Sequence, residues 1–160
     1  IPLSSGFTKN RYIGRSFIFP TQTQRDNAVR LKLNPLKATI RGKRLVVVDD
    51  SIVRGTTSAR TVKMLRDAGA AEVHMRISAP PFKHSCHFGT DIDDEEKLIA
   101  NKMNVDEIAK FIGSDSLGYI SIDGVKRACS GCALELCTGC FDGRYPMEIG
   151  RHKKAEFEGC

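Results

Sequence analysis

The sequence predicts an α/β fold: a mostly parallel sheet flanked by helices, followed by a cysteine-rich C-terminal tail. Three observations predict it. A continuous apolar run, Leu45 to Val48, ends on two aspartates. From Thr57 onward the apolar residues change to helical spacing, and a second apolar stretch of alternating type follows at Val73. Four of the six cysteines then crowd into residues 129 to 140.

Each element has its own reason. Residues 11 to 19 (RYIGRSFIF) are rich in aromatic and β-branched types and read as extended chain, which Pro20 ends. Residues 25 to 41 are basic and weakly periodic, and read as a loop with a short helix or strand. Leu45 to Val48 holds three valines in a row, the pattern of a strand buried on both faces in a parallel sheet. Ala59, Val62, Leu65 and Ala68 share one helical face, and Gly69 is a C-terminal stop. Val73 to Ser78 (VHMRIS) alternates and reads as the next strand. Strand, turn, helix and strand make one βαβ unit, normally right-handed. Pro80 and Pro81 open a loop carrying His84, Cys86 and His87. Asp93 with Glu96, and Asn104 with Glu107, have the spacing of capping boxes, the second opening a helix that ends at Gly113. Leu117 to Ile122 reads as a third strand, with a short helix after Asp123 and then the tail.

A chain of 160 residues suffices for one compact domain with a real core. Its 41% hydrophobic and 28% charged content is that of a soluble globular protein, which excludes a disordered chain. No apolar run reaches membrane-spanning length, and no basic-then-apolar signal pattern opens the chain, so a cytoplasmic address and no membrane partner are expected. The first residue is Ile1, and the chain reads as a fragment of something longer. Charge is uneven: residues 1 to 44 hold ten Lys or Arg against Asp26 alone, a local +9, within a total of +6. Such a segment seeks phosphate, or is a solvated basic surface.

The string VVVDDSIVRGTT, residues 46 to 57, carries the most chemistry. In open parallel sheets, ligands bind beyond the carboxyl ends of strands. Here a strand delivers Asp49 and Asp50 to that edge, and a turn of small residues leads into a helix N-terminus. Backbone N–H groups of residues 53 to 57 and the positive helix end make an anion site. Ser51, Thr56 and Thr57 add hydroxyls, and Gly55 permits close backbone approach. The two carboxylates can accept from sugar hydroxyls or bind Mg²⁺. The pocket suits a ribose bearing a 5′-phosphate. Neither the Walker pattern nor the dinucleotide fingerprint is present.

Cys129, Cys132, Cys137 and Cys140 form C-x2-C-x4-C-x2-C. The two pairs lie closer together than in usual four-cysteine zinc sites. Cys132, Cys137 and Cys140 also match the plant-ferredoxin spacing, which needs a distant fourth cysteine. Free buried cysteines are the plain reading.

Residues 46 to 57 resemble the phosphoribosyl-pyrophosphate signature of type I phosphoribosyltransferases. The longer strings SGFTKNRYIGRSFI, RLKLNP, RLVVVDDSIVRGTTSARTVKMLRDAGAAEVHMRISAPP, IGSDSLGYIS and CFDGRYP resemble the glutamine phosphoribosylpyrophosphate amidotransferase family over roughly residues 4 to 150. That resemblance implies a division into residues 1–125, the C-terminal part of the phosphoribosyltransferase domain, and 126–160, the tail. The glutaminase domain would lie outside this chain. Asp49 and Asp50 would contact the ribose hydroxyls and Mg²⁺. The loop of residues 46–58 would hold the 5′-phosphate through Ser51, Val53, Arg54, Gly55, Thr56 and Thr57. Residues 8–25, with Lys9, Arg11 and Arg15, match the loop that closes over pyrophosphate, and no residue is singled out as a catalytic acid or base. In cluster-bearing members, Cys86, Cys137 and Cys140 would ligate a [4Fe–4S] cluster, with a fourth ligand upstream of Ile1. Cys129 and Cys132 would be spectators, and His84 and His87 loop residues or outer donors.

The implied activity is transfer of glutamine-derived ammonia to phosphoribosyl pyrophosphate, the first step of purine synthesis. Purine-nucleotide inhibitors and a homo-oligomer go with it, and the fragment alone is expected to be inactive. Two other readings compete. A non-catalytic regulator binding phosphoribosyl pyrophosphate has less need of the KNRYIGR loop. A zinc-dependent nucleic-acid-binding module would explain the pI of 9.1, but its basic residues and cysteines lie at opposite ends of the chain. No nucleic-acid partner is therefore expected.

Overall fold

A computed structural model describes residues 1–9, 33–90, 92, 94–131 and 135–149. The elements run β1 (Phe7–Lys9), β2 (Leu33–Pro35), α1 (Lys37–Ile40), β3 (Arg44–Asp49), α2 (Thr56–Asp67) and β4 (Glu72–Ile77). Two 3₁₀ turns follow, Glu95–Lys97 and Ile99–Asn101, then α3 (Val105–Ile112), β5 (Ser116–Tyr119), α4 (Ile122–Ala128) and α5 (Gly139–Asp142). β1 and β2 form an antiparallel ribbon, and β3, β4 and β5 form a parallel sheet in that order.

The βαβ unit is present as the periodicity predicts. Val62, Leu65 and Ala68 are 2%, 1% and 5% exposed, and they face Val73, Met75 and Ile77 of β4 in one core with Ile108 and Ile112 of α3. Burial of each such side chain stabilises by roughly 1.5–3 kcal/mol. The second capping box is made as expected. Asn104 Oδ1 accepts from Glu107 N at 3.0 Å, and Asn104 N donates to Glu107 Oε2 at 2.8 Å. Gly113 ends that helix at φ 76°.

Other expectations differ. β3 is not buried on both faces: Val46 and Val48 are 46% and 72% exposed. The physical reason is that α2 and α3 both contribute to the core on the face of Leu45 and Val47. The opposite face carries a polar row instead. Arg44 Nε donates to Glu72 Oε2 at 2.6 Å, and His74 lies 2.9 Å from both Glu72 Oε2 and Ser116 Oγ. Around Glu96 the chain makes a 3₁₀ turn after Asp94, whose side chain does not cap it. Asp93, and the extended stretch expected at 11 to 19, lie outside the described residues. No helix among the described residues is long and apolar enough to cross a membrane.

Candidate functional site

The carboxyl edge of the sheet is built by β3 and the start of α2. Alternation along β3 places Asp49 with the core-facing Leu45 and Val47, so its carboxyl is half-buried, while Asp50 is exposed. Burial pushes the Asp49 carboxyl above its usual range. Its Oδ1 accepts from Asp50 N at 3.0 Å, and Ser51 Oγ donates to Asp50 Oδ1 at 3.2 Å. Ser78, just beyond β4, fixes this corner by donating its N–H to the Asp49 carbonyl at 3.0 Å. The two adjacent carboxylates therefore have different surroundings, which their adjacency in sequence does not show.

The turn that follows is anchored from below. Ile52 is 3% exposed, and Ile99 N donates to the Val53 carbonyl at 2.9 Å. Gly55 sits at φ 80° immediately before α2. A Cβ there would meet Ile99 Cδ1 at 2.8 Å and Phe111 Cε1 at 3.0 Å. Only glycine fits both the left-handed backbone and the space. Thr56 and Thr57 then face solvent in the first helical turn, where helical geometry leaves N–H groups without carbonyl partners inside the helix. Hydroxyls, amide N–H groups and the helix dipole lie at one exposed corner beside two carboxylates, an arrangement with the chemistry to hold an anion such as a phosphate.

A second cluster lies behind this loop. Cys140 in α5 is brought to Cys86, from the loop after β4, and to Cys137. Burial pushes the Cys140 thiol up to about 11, with the neighbouring Cys86 and Cys137 sulfurs pushing the same way. The backbone clamps them together: Lys83 N and His84 N both donate to the Cys140 carbonyl, at 3.0 and 3.1 Å. Phe82 and Phe141 stack with centroids 5.1 Å apart. Tyr145 Oη donates to the Ser85 carbonyl at 2.6 Å. His84 Nδ1 is 2.8 Å from Glu95 Oε1, which occupies one of its ring nitrogens.

Comparison with known proteins decides the family. Over 149 residues the chain is 54% identical to an amidophosphoribosyltransferase of Synechococcus elongatus, covering 93% of this chain and 30% of that protein. It is 52% identical over 148 residues to a chloroplastic amidophosphoribosyltransferase of Glycine max, covering 92% of this chain and 26% of the relative. The solved glutamine phosphoribosylpyrophosphate amidotransferase from B. subtilis, complexed with ADP and GMP, superimposes with a TM-score of 0.79 at 47% identity, over 94% of this chain and 34% of that one. The chain belongs to the amidophosphoribosyltransferase family. No protein-family model matches it. It spans about a third or less of the length of the relatives it matches.

Within this amidophosphoribosyltransferase segment, the site residues named from the sequence separate into groups. Asp49, Asp50, Ser51, Val53, Arg54, Gly55, Thr56 and Thr57 occupy one continuous corner of the fold. Cys86, Cys137 and Cys140 form the second group. Cys129 ends α4, and Cys132 and Cys160 lie outside the described residues, as do Arg11, Arg15 and nearly all of segment 8–25. Lys9 is the last residue of β1, in register with Leu33 of β2.

The donors fit the groups that the family resemblance implies. Asp49 and Asp50 offer hard oxygens, suited to Mg²⁺. Cys86, Cys137 and Cys140 offer three soft sulfurs, with Cys140 near both of the others, suited to an iron–sulfur cluster. Among the described residues no three His, Cys, Asp or Glu side chains are grouped to hold a single metal ion, which requires sulfurs all at about 2.3 Å from one centre. A cluster presents separate corners and spreads its ligands.

Sequence reading missed two residues here. Tyr145 appeared only as a letter in the CFDGRYP string, because its partner Ser85 is 60 residues away. Tyr119 ends β5 in register with Ile77, which is itself in register with Asp49. Its hydroxyl is buried without a hydrogen-bond partner among the described residues, and burial pushes it up to about 12. No local pattern marks an orphaned hydroxyl.

Proposed function

We propose that this chain supplies the phosphoribosyl-pyrophosphate site of an amidophosphoribosyltransferase, which transfers glutamine-derived ammonia to phosphoribosyl pyrophosphate and gives 5-phosphoribosylamine, the first step of purine nucleotide synthesis. The observation that carries this is the corner where Asp49 and Asp50 meet the Gly55-opened N-terminus of α2. Residues 1–125 act as the later part of the transferase domain and 126–160 as its tail, with the glutaminase part outside this chain.

In this reading the N–H groups and hydroxyls of residues 51 to 57 hold the 5′-phosphate. Asp49 and Asp50 accept from the ribose hydroxyls and hold Mg²⁺. When bound, Mg²⁺ would neutralise charge on the departing pyrophosphate. The bond from carbon 1 to the pyrophosphate oxygen breaks, with its electron pair leaving on that oxygen. The ammonia nitrogen forms the new bond and then loses a proton to solvent. Ammonia is already a nucleophile, so the protein's part is orientation and charge stabilisation rather than base catalysis. The basic residues of segment 8–25, Lys9, Arg11 and Arg15 among them, would offset the polyphosphate charge, as the family resemblance implies. ADP and GMP bound in the B. subtilis relative support purine nucleotides as regulators. A homo-oligomer belongs to the same reading, as the family resemblance implies.

Substituting Asp49→Asn together with Asp50→Asn in the full-length protein tests the site. Folding should persist, and titration calorimetry with Mg²⁺ present should show affinity for phosphoribosyl pyrophosphate falling at least tenfold. Unchanged affinity sinks the assignment.

Cys86, Cys137 and Cys140 are the chain's ligands to a [4Fe–4S] cluster in the same reading, supported by the nearness of Cys140 to both Cys86 and Cys137. Replacing any of them with serine should remove iron, sulfide and brown colour from anaerobically purified protein, whereas Cys129→Ser and Cys132→Ser should not. The reverse pattern returns the site to the local four-cysteine zinc reading.

A further inference from the structure

The geometry points to Tyr145 as the residue that positions Cys86 against the Cys137–Cys140 pair, a role that rests on the cluster reading above. Three contacts define it. The phenol O–H donates to the carbonyl of Ser85, the residue before Cys86, at 2.6 Å. The ring edge meets His87, the residue after Cys86, with centroids 5.2 Å apart at 76°. The ring also lies on Gly139, between the two tail cysteines: a Cβ on Gly139 would fall 2.3 Å from Tyr145 Cδ1. One side chain thus holds the backbone before one cysteine, meets the ring of the residue after it, and rests between the other two.

The contact with Gly139 explains two residues at once. Gly139 has an ordinary helical backbone, since its φ is not among the positive ones, so a left-handed conformation does not demand glycine there. The ring demands it. The hydrogen bond does separate work, because Cys86 lies outside the helices and strands, in the loop after β4. Lys83 N and His84 N already tie the start of that loop to Cys140. Tyr145 carries the grip forward to Cys86 itself. A tyrosine suits this place because its ring packs as an apolar body while its hydroxyl reaches a carbonyl.

The test uses full-length protein purified without oxygen, with iron and sulfide per chain measured first and the rate of bleaching in air second. Tyr145→Phe keeps the ring and loses the donor. It should hold wild-type iron and bleach roughly fivefold faster, the loss of one neutral hydrogen bond. Tyr145→Ala loses both grips and should retain less than half of the wild-type iron, whereas Arg144→Ala should match wild type. If Tyr145→Phe and Tyr145→Ala both keep wild-type iron and bleaching rate, the positioning role is overturned. Should Tyr145→Ala not fold, wild-type bleaching by Tyr145→Phe overturns it alone.

A second measurement needs no cluster. In metal-free protein, a short bis-maleimide should join Cys86 to Cys140, mapped by peptide mass, and Tyr145→Ala should lower the yield several-fold. Equal yields overturn the role of Tyr145. Wild-type protein that holds no iron or sulfide sinks the cluster reading instead, and the cross-link still decides for or against Tyr145.

Discussion

Val53 in the proposed phosphate loop and Cys140 in the tail pack against the same buried cluster of Phe82, Ile92 and Leu98. The two candidate sites therefore share one small apolar cluster, separate from the main core between the sheet and helices α2 and α3. A cavity made in that cluster loosens both, because tightly packed neighbours relax only partly around a void.

Phe82→Ala is the direct probe of this link. Phe82 is 7% exposed and stacks on Phe141. Its truncation should cost about 3–5 kcal/mol of stability in denaturant unfolding. It should also weaken phosphoribosyl pyrophosphate binding and iron retention together. Loss of one with the other untouched means the sites are independent.

Gly55→Ala should damage the phosphate loop without touching a carboxylate. The positive φ alone costs about 1–3 kcal/mol, and the new methyl must displace Ile99 or Phe111. Unfolding experiments should show at least that loss, and calorimetry should show weaker binding. A variant as stable as wild type, with full affinity, contradicts the geometry described at this turn.

Asn104→Ala removes one half of the capping box of α3, worth about 1 kcal/mol. The loss should appear as a lower denaturation midpoint with unchanged slope. Ligand affinity should stay as it is, since Asn104 is exposed and lies outside both sites.

Acid stability should depend on Asp115. Its carboxylate accepts from Val73 N at 2.6 Å and pairs with Arg66 of α2, with His74 of β4 nearby. Chiefly the Val73 hydrogen bond, then Arg66, holds its pKa below the usual carboxylate range. A depressed acid binds fewer protons folded than unfolded, so its contribution is present above the unfolded value near 3.9 and fades as pH falls through the lower folded value. Asp115→Asn should be less stable at neutral pH, and its stability should change less steeply with pH below about 4. Parallel pH profiles for the two proteins would falsify the linkage.

Much of the fold was legible because it is written in short-range periods. The helical spacing of Ala59, Val62, Leu65 and Ala68, the Asn104–Glu107 pair and the strand-to-turn change at Asp49 each report on residues within a few positions of one another. That residues 49 to 57 form one corner was legible for the same reason, since they are contiguous. By contrast, the double burial expected of β3 was a statement about which layers cover it, and Val46 and Val48 lie open to solvent.

By itself, then, the sequence determined the parallel βαβ unit, the carboxylates at its edge, the glycine turn and the family resemblance, all through local pattern or matching strings. Tertiary structure alone decided that Asp49 is half-buried while Asp50 is exposed and that Tyr145 reaches Ser85, and the meeting of Cys86 with Cys140 had only the family resemblance, not its spacing, to suggest it. Those facts depend on where a chain returns after a long loop. Closing such a loop adds only a slowly growing entropy cost with length, so spacing along the sequence says little about which ends meet. The apolar cluster of Phe82, Ile92 and Leu98 supplies the contacts that hold this closure.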